Sequence, residues 1–346
     1  MKLNKLTVAT GLALCAMTVA GSAQAEALAT SVLNITGFKI SGTGGELTVG
    51  VPAGPGLGAL VVGTTSDSSS ISANLDGGVP TAATAGPIPI SATPVDLLPV
   101  SQGTVTPAYV NNSFAILSTV TPAPQDDFAL ADAFITGAPI NGTPACAGPA
   151  CTNQAGQASY VSLLGQPHTG VSSASNTLQS SFLFNGLSGP LTLDFSALAY
   201  LEAYTSPDSK VGSNATASYS LSFTVVDNTT GGNTVILWTP NGNSLDNGNS
   251  GSAEGITAQI DPFSLNVGRS ASSPYPFTAD SFYGLALGTA NNGLFSATTV
   301  GLDPFHTYLL TISSTTNTSA ATVPEPATLA LLGMGLLGLG MSRRRS

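Results

Sequence analysis

Charged residues make up only 8% of this sequence, against about a quarter in ordinary soluble domains. The basic side is thinnest. Eight Lys and Arg stand against eighteen Asp and Glu, and five of the eight lie at the ends, as Lys2, Lys5, Arg343, Arg344 and Arg345. From Glu26 to Thr322 the cations are Lys39, Lys210 and Arg269, facing seventeen carboxylates, which gives that stretch a net charge of −14. A field of that sign repels phosphate backbones and anionic lipid, which excludes nucleic acid as a partner. Histidine is almost missing as well: His168 and His306 each stand alone and read as loop or surface residues. No H-E-x-x-H, nucleophile elbow, P-loop or paired-cysteine zinc spacing occurs. Neither a metal nor a cofactor is expected.

The place of charge is taken by Ser, Thr, Asn and Gly, a neutral surface that hydrogen-bonds. The 39 Gly and 23 Pro stay below the proportion at which low complexity becomes the default, and nearly 300 residues can bury a large core. Sixteen of the 22 aromatic residues fall between Phe182 and Tyr308, while thirteen prolines fall between Pro52 and Pro149. The second half is therefore expected to hold the core and the first half long excursions.

The N-terminus carries a targeting pattern. Lys2 and Lys5 precede an apolar run from Leu6 to Ala20, and Ala23-Gln24-Ala25 offers a small-residue cleavage site before Glu26. This is the arrangement of a secretory signal peptide over residues 1–25, addressed to the general secretion machinery and signal peptidase. Cys15 follows Leu14 where a lipoprotein signal would want a small residue. Beyond the signal the cysteines are Cys146 and Cys151, in Cys-Ala-Gly-Pro-Ala-Cys. Outside the cytoplasm a pair bent by Gly148-Pro149 is expected to form a disulfide, worth on the order of 2 kcal/mol to one loop.

The C-terminus is built in three ordered parts. Val323-Pro324-Glu325-Pro326 is followed by fifteen uncharged residues, 327–341, and then by Arg343-Arg344-Arg345. The two prolines keep the chain extended. The apolar run, at ~1.5 Å per helical residue, reaches roughly 22 Å, short of the ~30 Å hydrocarbon core. That suits a tail held in the membrane transiently. Arginines after the run favour the cytoplasmic side and place everything before Val323 outside. Gly333, Gly335 and Gly338 spell G-x-G-x-x-G, but no Rossmann unit can follow in the eight residues that remain.

These 24 residues resemble the PEP-CTERM sorting signal of Gram-negative bacteria. The resemblance implies processing near Pro-Glu-Pro by an exosortase, an integral-membrane enzyme similar to cysteine transpeptidases. It also implies a body that passes through the periplasm, tethered to the inner membrane, to the cell surface or beyond.

Between the two signals the pattern is all-β. Ala217 to Val226 places Tyr219, Leu221, Phe223 and Val225 in alternation with Ser and Thr, one face buried and one wet, as an antiparallel sheet requires. Further strands are predicted at Phe182–Phe184, Leu191–Phe195, Leu198–Tyr204, Thr234–Trp238, Ile256–Ile260, Phe263–Val267, Phe282–Leu287, Leu294–Val300 and Thr307–Ile312. Many short strands with Gly, Asn and Pro turns indicate a β-sandwich or jelly roll. Ser31–Ile40 and Glu46–Val49 read as a hairpin that could close a sheet with the C-terminal strands. The proline-rich residues 50–125 read as edge strands and loops. Asp126–Ile135 reads as one or two helical turns, its three Asp being only a weak hint of calcium. The same holds for Asn241–Asn249, read as a turn. The expected layout is a body over 26–312, a polar spacer over 313–322 and the sorting signal with a membrane segment over 327–341. Composition of the body also resembles other exosortase-dependent surface proteins.

Three functions are compatible with this reading. The favoured one is a non-enzymatic surface or matrix protein associated with exopolysaccharide. A carbohydrate-binding module would need exposed aromatics on a sheet face, with Trp238, Tyr275 and Tyr283 as candidates. A glycan hydrolase would need two carboxylates converging, with Asp194, Glu202 and Glu254 as candidates. Six Asn-x-Ser/Thr sequons, beginning at Asn34, Asn111, Asn141, Asn214, Asn228 and Asn317, are what chance supplies in so Ser/Thr-rich a chain.

Overall fold

The computed structural model describes residues 26–42, 45–46, 59–89, 95–103, 109–114, 116, 127–135, 154–164, 168–185, 189–206, 212–242, 253–273, 282–286 and 289–323. The described residues are all-β. In chain order the first strands are β1 (Glu26–Gly42), β2 (Gly45–Glu46), β3 (Ala59–Leu75), β4 (Thr81–Pro89), β5 (Val95–Gly103) and β6 (Phe128–Ile135). Then come β7 (Gln154–Leu164), β8 (Thr169–Asn185), β9 (Thr192–Thr205), β10 (Asn214–Asp227), β11 (Asn233–Trp238) and β12 (Ala253–Glu254). The last are β13 (Ile256–Ile260), β14 (Val267–Ser272), β15 (Phe282–Tyr283), β16 (Asn291–Thr299) and β17 (Thr307–Ala321).

Two antiparallel sheets result. One runs β13-β16-β9-β1-β7-β6-β5, with β15 on β9 and β2 on β1; the other runs β12-β11-β10-β17-β8-β3-β4, with β14 on β10. They pack face to face as a sandwich. At one side the filling is aromatic: Phe195 of the first sheet lies 5.3 Å from Phe223 of the second, and Trp238 stacks on Phe223 at 4.9 Å. The alternation in β10 has its expected result, with Tyr219, Leu221, Phe223 and Val225 all buried.

At the other side the filling is polar. Ser159 of β7 and Thr316 of β17 pair their hydroxyls across the layer at 2.9 Å. Asn176 of β8 donates to the Gly156 carbonyl at 3.0 Å and accepts from Ser69 of β3 at 2.5 Å. Small hydroxylated residues can face inward where such pairs form, because a partner offsets the cost of burying them.

This polar half accounts for several differences from the expected layout. Residues 313–322 are not a spacer: Ser313 to Ala321 continue β17, paired with β10 on one side and β8 on the other. Their Ser/Thr pattern is that of a central strand with inward hydroxyls, among which Thr316 pairs with Ser159 across the sandwich. Within 50–125, β3 is an interior strand between β8 and β4, allowed because no proline falls between Ala59 and Leu75. Asp126–Ile135 contains β6 and no helical turn. Its near-continuous apolar run is that of a strand covered on both faces. β1 pairs with β7 and β9 at the middle of the first sheet, not with the C-terminal strands. It pairs with β2 as the expected hairpin. The core is also not confined to the second half, since Leu28, Val32, Leu33, Ile71 and Phe128 are all buried.

The first sheet has a second, smaller core on its outer face, where Val32, Phe128, Leu130, Tyr160 and Tyr200 are covered by Phe114 and Ala290. Phe114 seats against Gly156: a Cβ there would stand 2.2 Å from the phenyl ring. Only glycine leaves room for it.

Candidate functional site

The end of the sandwich where the chain emerges toward Pro324 is assembled from six elements. β1 begins at Glu26 opposite Leu164, the last residue of β7, and Ala27 faces Thr205, the last of β9. β8 begins at Thr169 opposite Ala321, the last of β17, and β10 begins at Asn214 opposite the same residue. Glu26 and Ala321 therefore lie at one end of the sandwich, in facing sheets about 10 Å apart. A segment preceding Glu26 and the segment following Val323 leave the body from the same end.

The last described residues are tied down. Thr322 donates its N–H to the His168 carbonyl at 2.9 Å, and its hydroxyl accepts from the His168 N–H at 2.9 Å. Val323 donates its N–H to the hydroxyl of buried Ser213 at 3.2 Å. Gly212, at φ +102°, passes beneath the Val323 side chain, and a Cβ there would come within 3.2 Å of it. His168 is itself braced. Its Nδ1 faces Asp76 Oδ2 at 2.7 Å and its Nε2 faces Asp127 Oδ2 at 3.3 Å. Asp76 also accepts from the Thr169 N–H, and Asp127 from the Leu164 N–H. Glu26, at the same end, has its carboxyl raised by burial and by the neighbouring charge of Glu202.

Among the predicted residues, Val323 and Glu26 thus fall at this end. Pro324, Glu325, Pro326, Arg343, Arg344 and Arg345 lie outside the described residues, as do Ala23 and Ala25, the expected membrane segment 327–341, and Cys146 with Cys151. His168 is a brace of the exit strand, not an isolated surface residue. His306 bonds Asp227 at 2.7 Å. The Asp227 carboxyl, despite the upward push of burial, is lowered by His306, by the Thr229 N–H and by the Thr230 side chain. That pair caps the β10–β11 hairpin.

The candidates for glycan chemistry do not converge. Glu202 and Asp194 are eight residues apart on one face of β9, roughly 26 Å at strand rise, and Glu254 is in the other sheet. Retaining and inverting pairs need roughly 5 to 9.5 Å. Glu202 is fully buried and accepts from the Tyr200 hydroxyl at 2.7 Å. Trp238 is in the core. Tyr283 is half-buried, with Arg269 5.1 Å above its ring and its hydroxyl taken by the Ser264 N–H. Tyr275 lies outside the described residues. No group of three or more His, Cys, Asp or Glu fit to hold a metal occurs among the described residues.

Asp76 and Ser213 carry no signal in the sequence and Asp127 reads there only as one of three clustered acids, because they come from three distant loops that only the strand order gathers. A family model for the PEP-CTERM protein-sorting motif matches residues 322–345, beginning at the first residue after β17. No curated protein and no solved structure matches the chain. The motif supports export, membrane-associated processing by an exosortase-type enzyme, and delivery as a surface protein.

Proposed function

We propose that this is a non-catalytic surface or matrix protein, delivered through the periplasm to the cell surface and associated there with exopolysaccharide. The observation that carries the proposal is the sorting motif at 322–345 following without a spacer on a central strand of the sandwich. Processing near Pro324–Glu325–Pro326 then acts on a chain whose upstream side is fixed in the folded body, so the fold itself presents the site. A neutral, hydroxyl-rich sheet surface suits hydrogen bonding to glycans. The dispersal of Asp194, Glu202 and Glu254 supports a role without catalysis. An anionic body favours neutral or cation-bridged polysaccharide over other anionic partners.

The test is the C-terminal peptide mass of protein recovered from outside the native host, with and without the sorting enzyme. A terminus within Pro324 to Pro326 that depends on the enzyme is expected, together with co-purification with the exopolysaccharide fraction. An intact Arg343-Arg344-Arg345 tail in a membrane fraction would overturn the proposal.

A further inference from the structure

On the outer face of the first sheet, at its β5 edge, four oxygen-bearing side chains gather with no Lys or Arg bonded to them among the described residues. Asp132 of β6 is fully buried. Its Oδ2 accepts from the Tyr109 hydroxyl at 2.9 Å and from the Asn112 N–H at 2.9 Å, while its Oδ1 has no hydrogen-bond partner among the described residues. The Oδ1 atoms of Asn111 and Asn112 are likewise buried and unpartnered. Asp96 of β5 lies opposite Phe134 and so is a diagonal neighbour of Asp132 on the same face. It holds both asparagines, whose Nδ2 groups donate to its Oδ1 at 3.3 and 3.2 Å.

Buried oxygens short of donors among the described residues, beside a second carboxylate, are costly unless something positive joins them. The turn is shaped for convergence. Ser113 bonds back to Val110 at 3.1 Å, Asn112 adopts φ +58°, and Phe114 anchors the far side over Gly156.

The geometry points to a calcium site formed by Asp96, Asn111, Asn112 and Asp132. The donors are all hard oxygens, two from carboxylates and two from amides, which is calcium chemistry and not that of zinc or copper. Asp96 is exposed, so water can complete the six to eight ligands that calcium takes. Magnesium, which demands a small rigid octahedron and gives up water reluctantly, fits a flexible turn poorly. Such a partly hydrated site outside the cell belongs with extracellular modules, at Kd about 0.1–1 mM.

The full-length protein is titrated with terbium(III) while its tyrosines are excited. Tyr109, bonded to Asp132, is placed to pass energy to an ion in the site. Saturable emission at one ion per chain is expected, displaced by millimolar calcium and at least ~10-fold less readily by magnesium. Asp96→Asn and Asn111→Ala should each weaken terbium binding by about tenfold or more while leaving circular dichroism unchanged. Asp96 is exposed, so its variant tests the site even if Asp132→Asn fails to fold. Absence of saturable emission, equal displacement by magnesium, or unchanged affinity in Asp96→Asn would each overturn the assignment.

Discussion

A proline at position 315 separates a spacer from a central strand. Thr315 lies opposite Ser220 of β10 and Ser175 of β8, and its hydroxyl meets that of Ser220 at 2.7 Å on the outward face. In an unstructured spacer Thr315→Pro costs nothing. In a strand paired on both sides every N–H is committed to one neighbour, and proline has none to give. The carbonyl left without a donor costs about 1–3 kcal/mol, and the ring's collision with the neighbouring strand brings the total to about 3 kcal/mol or more. At about 2–4 °C per kcal/mol for a body of this size, Tm should fall by roughly 6–12 °C. Thr315→Ala, which loses only the hydroxyl pair at up to about 1 kcal/mol, should fall by no more than about 4 °C. The assay is thermal unfolding by far-UV circular dichroism on the purified full-length protein. If Thr315→Pro melts within about 1 °C of Thr315→Ala, the strand assignment of 313–321 is wrong.

Two further expectations concern the polar interior and the outer cover. Asp67 is buried in β3 with an unpartnered Oδ1, and burial raises its carboxyl to about 6 from 3.8. The folded state therefore holds that proton more tightly than the unfolded one. Its contribution to stability is present below about pH 4 and is lost as pH rises through about 6, at most about 3 kcal/mol. Asp132 and Asp261 shift in the same direction, so Tm should fall from about pH 4.5 to 7.5. Asp67→Asn should flatten part of that fall and melt higher at neutral pH; parallel curves for the two proteins would refute this. Gly156→Ala forces a Cβ to within 2.2 Å of Phe114 and should cost about 1–3 kcal/mol while weakening the terbium signal. Gly268→Ala, where a Cβ meets nothing closer than 3.8 Å, is the matched control and should leave both readings in place.

The C-terminal end of this chain was legible because its signal is local. Residues 323–346 read as a sorting signal through the order of Pro-Glu-Pro, apolar run and arginines, and the family match at 322–345 covers the same stretch. Strands such as β10 were legible for the same reason, since apolar and hydroxylated residues alternate at the period of the pleat. Ser and Thr carry less information. The run Ser313 to Ala321 serves equally as a solvated linker or as a strand, and what decides is that β10 and β8 flank it on both sides. Asp132 reads in sequence as one of three clustered acids, yet its working neighbours are Asp96, Asn111 and Asn112.

By itself, then, the sequence determined the class of the fold, the sorting signal and the anionic, hydroxylated character of the body. Only the tertiary structure decided that β17 is central, that the chain leaves toward Pro324 from the end where β1 begins, and that scattered oxygens meet at one sheet edge. Pattern along a strand is set by its own residues; strand order is set by which faces can be buried together. That is a property of the whole chain.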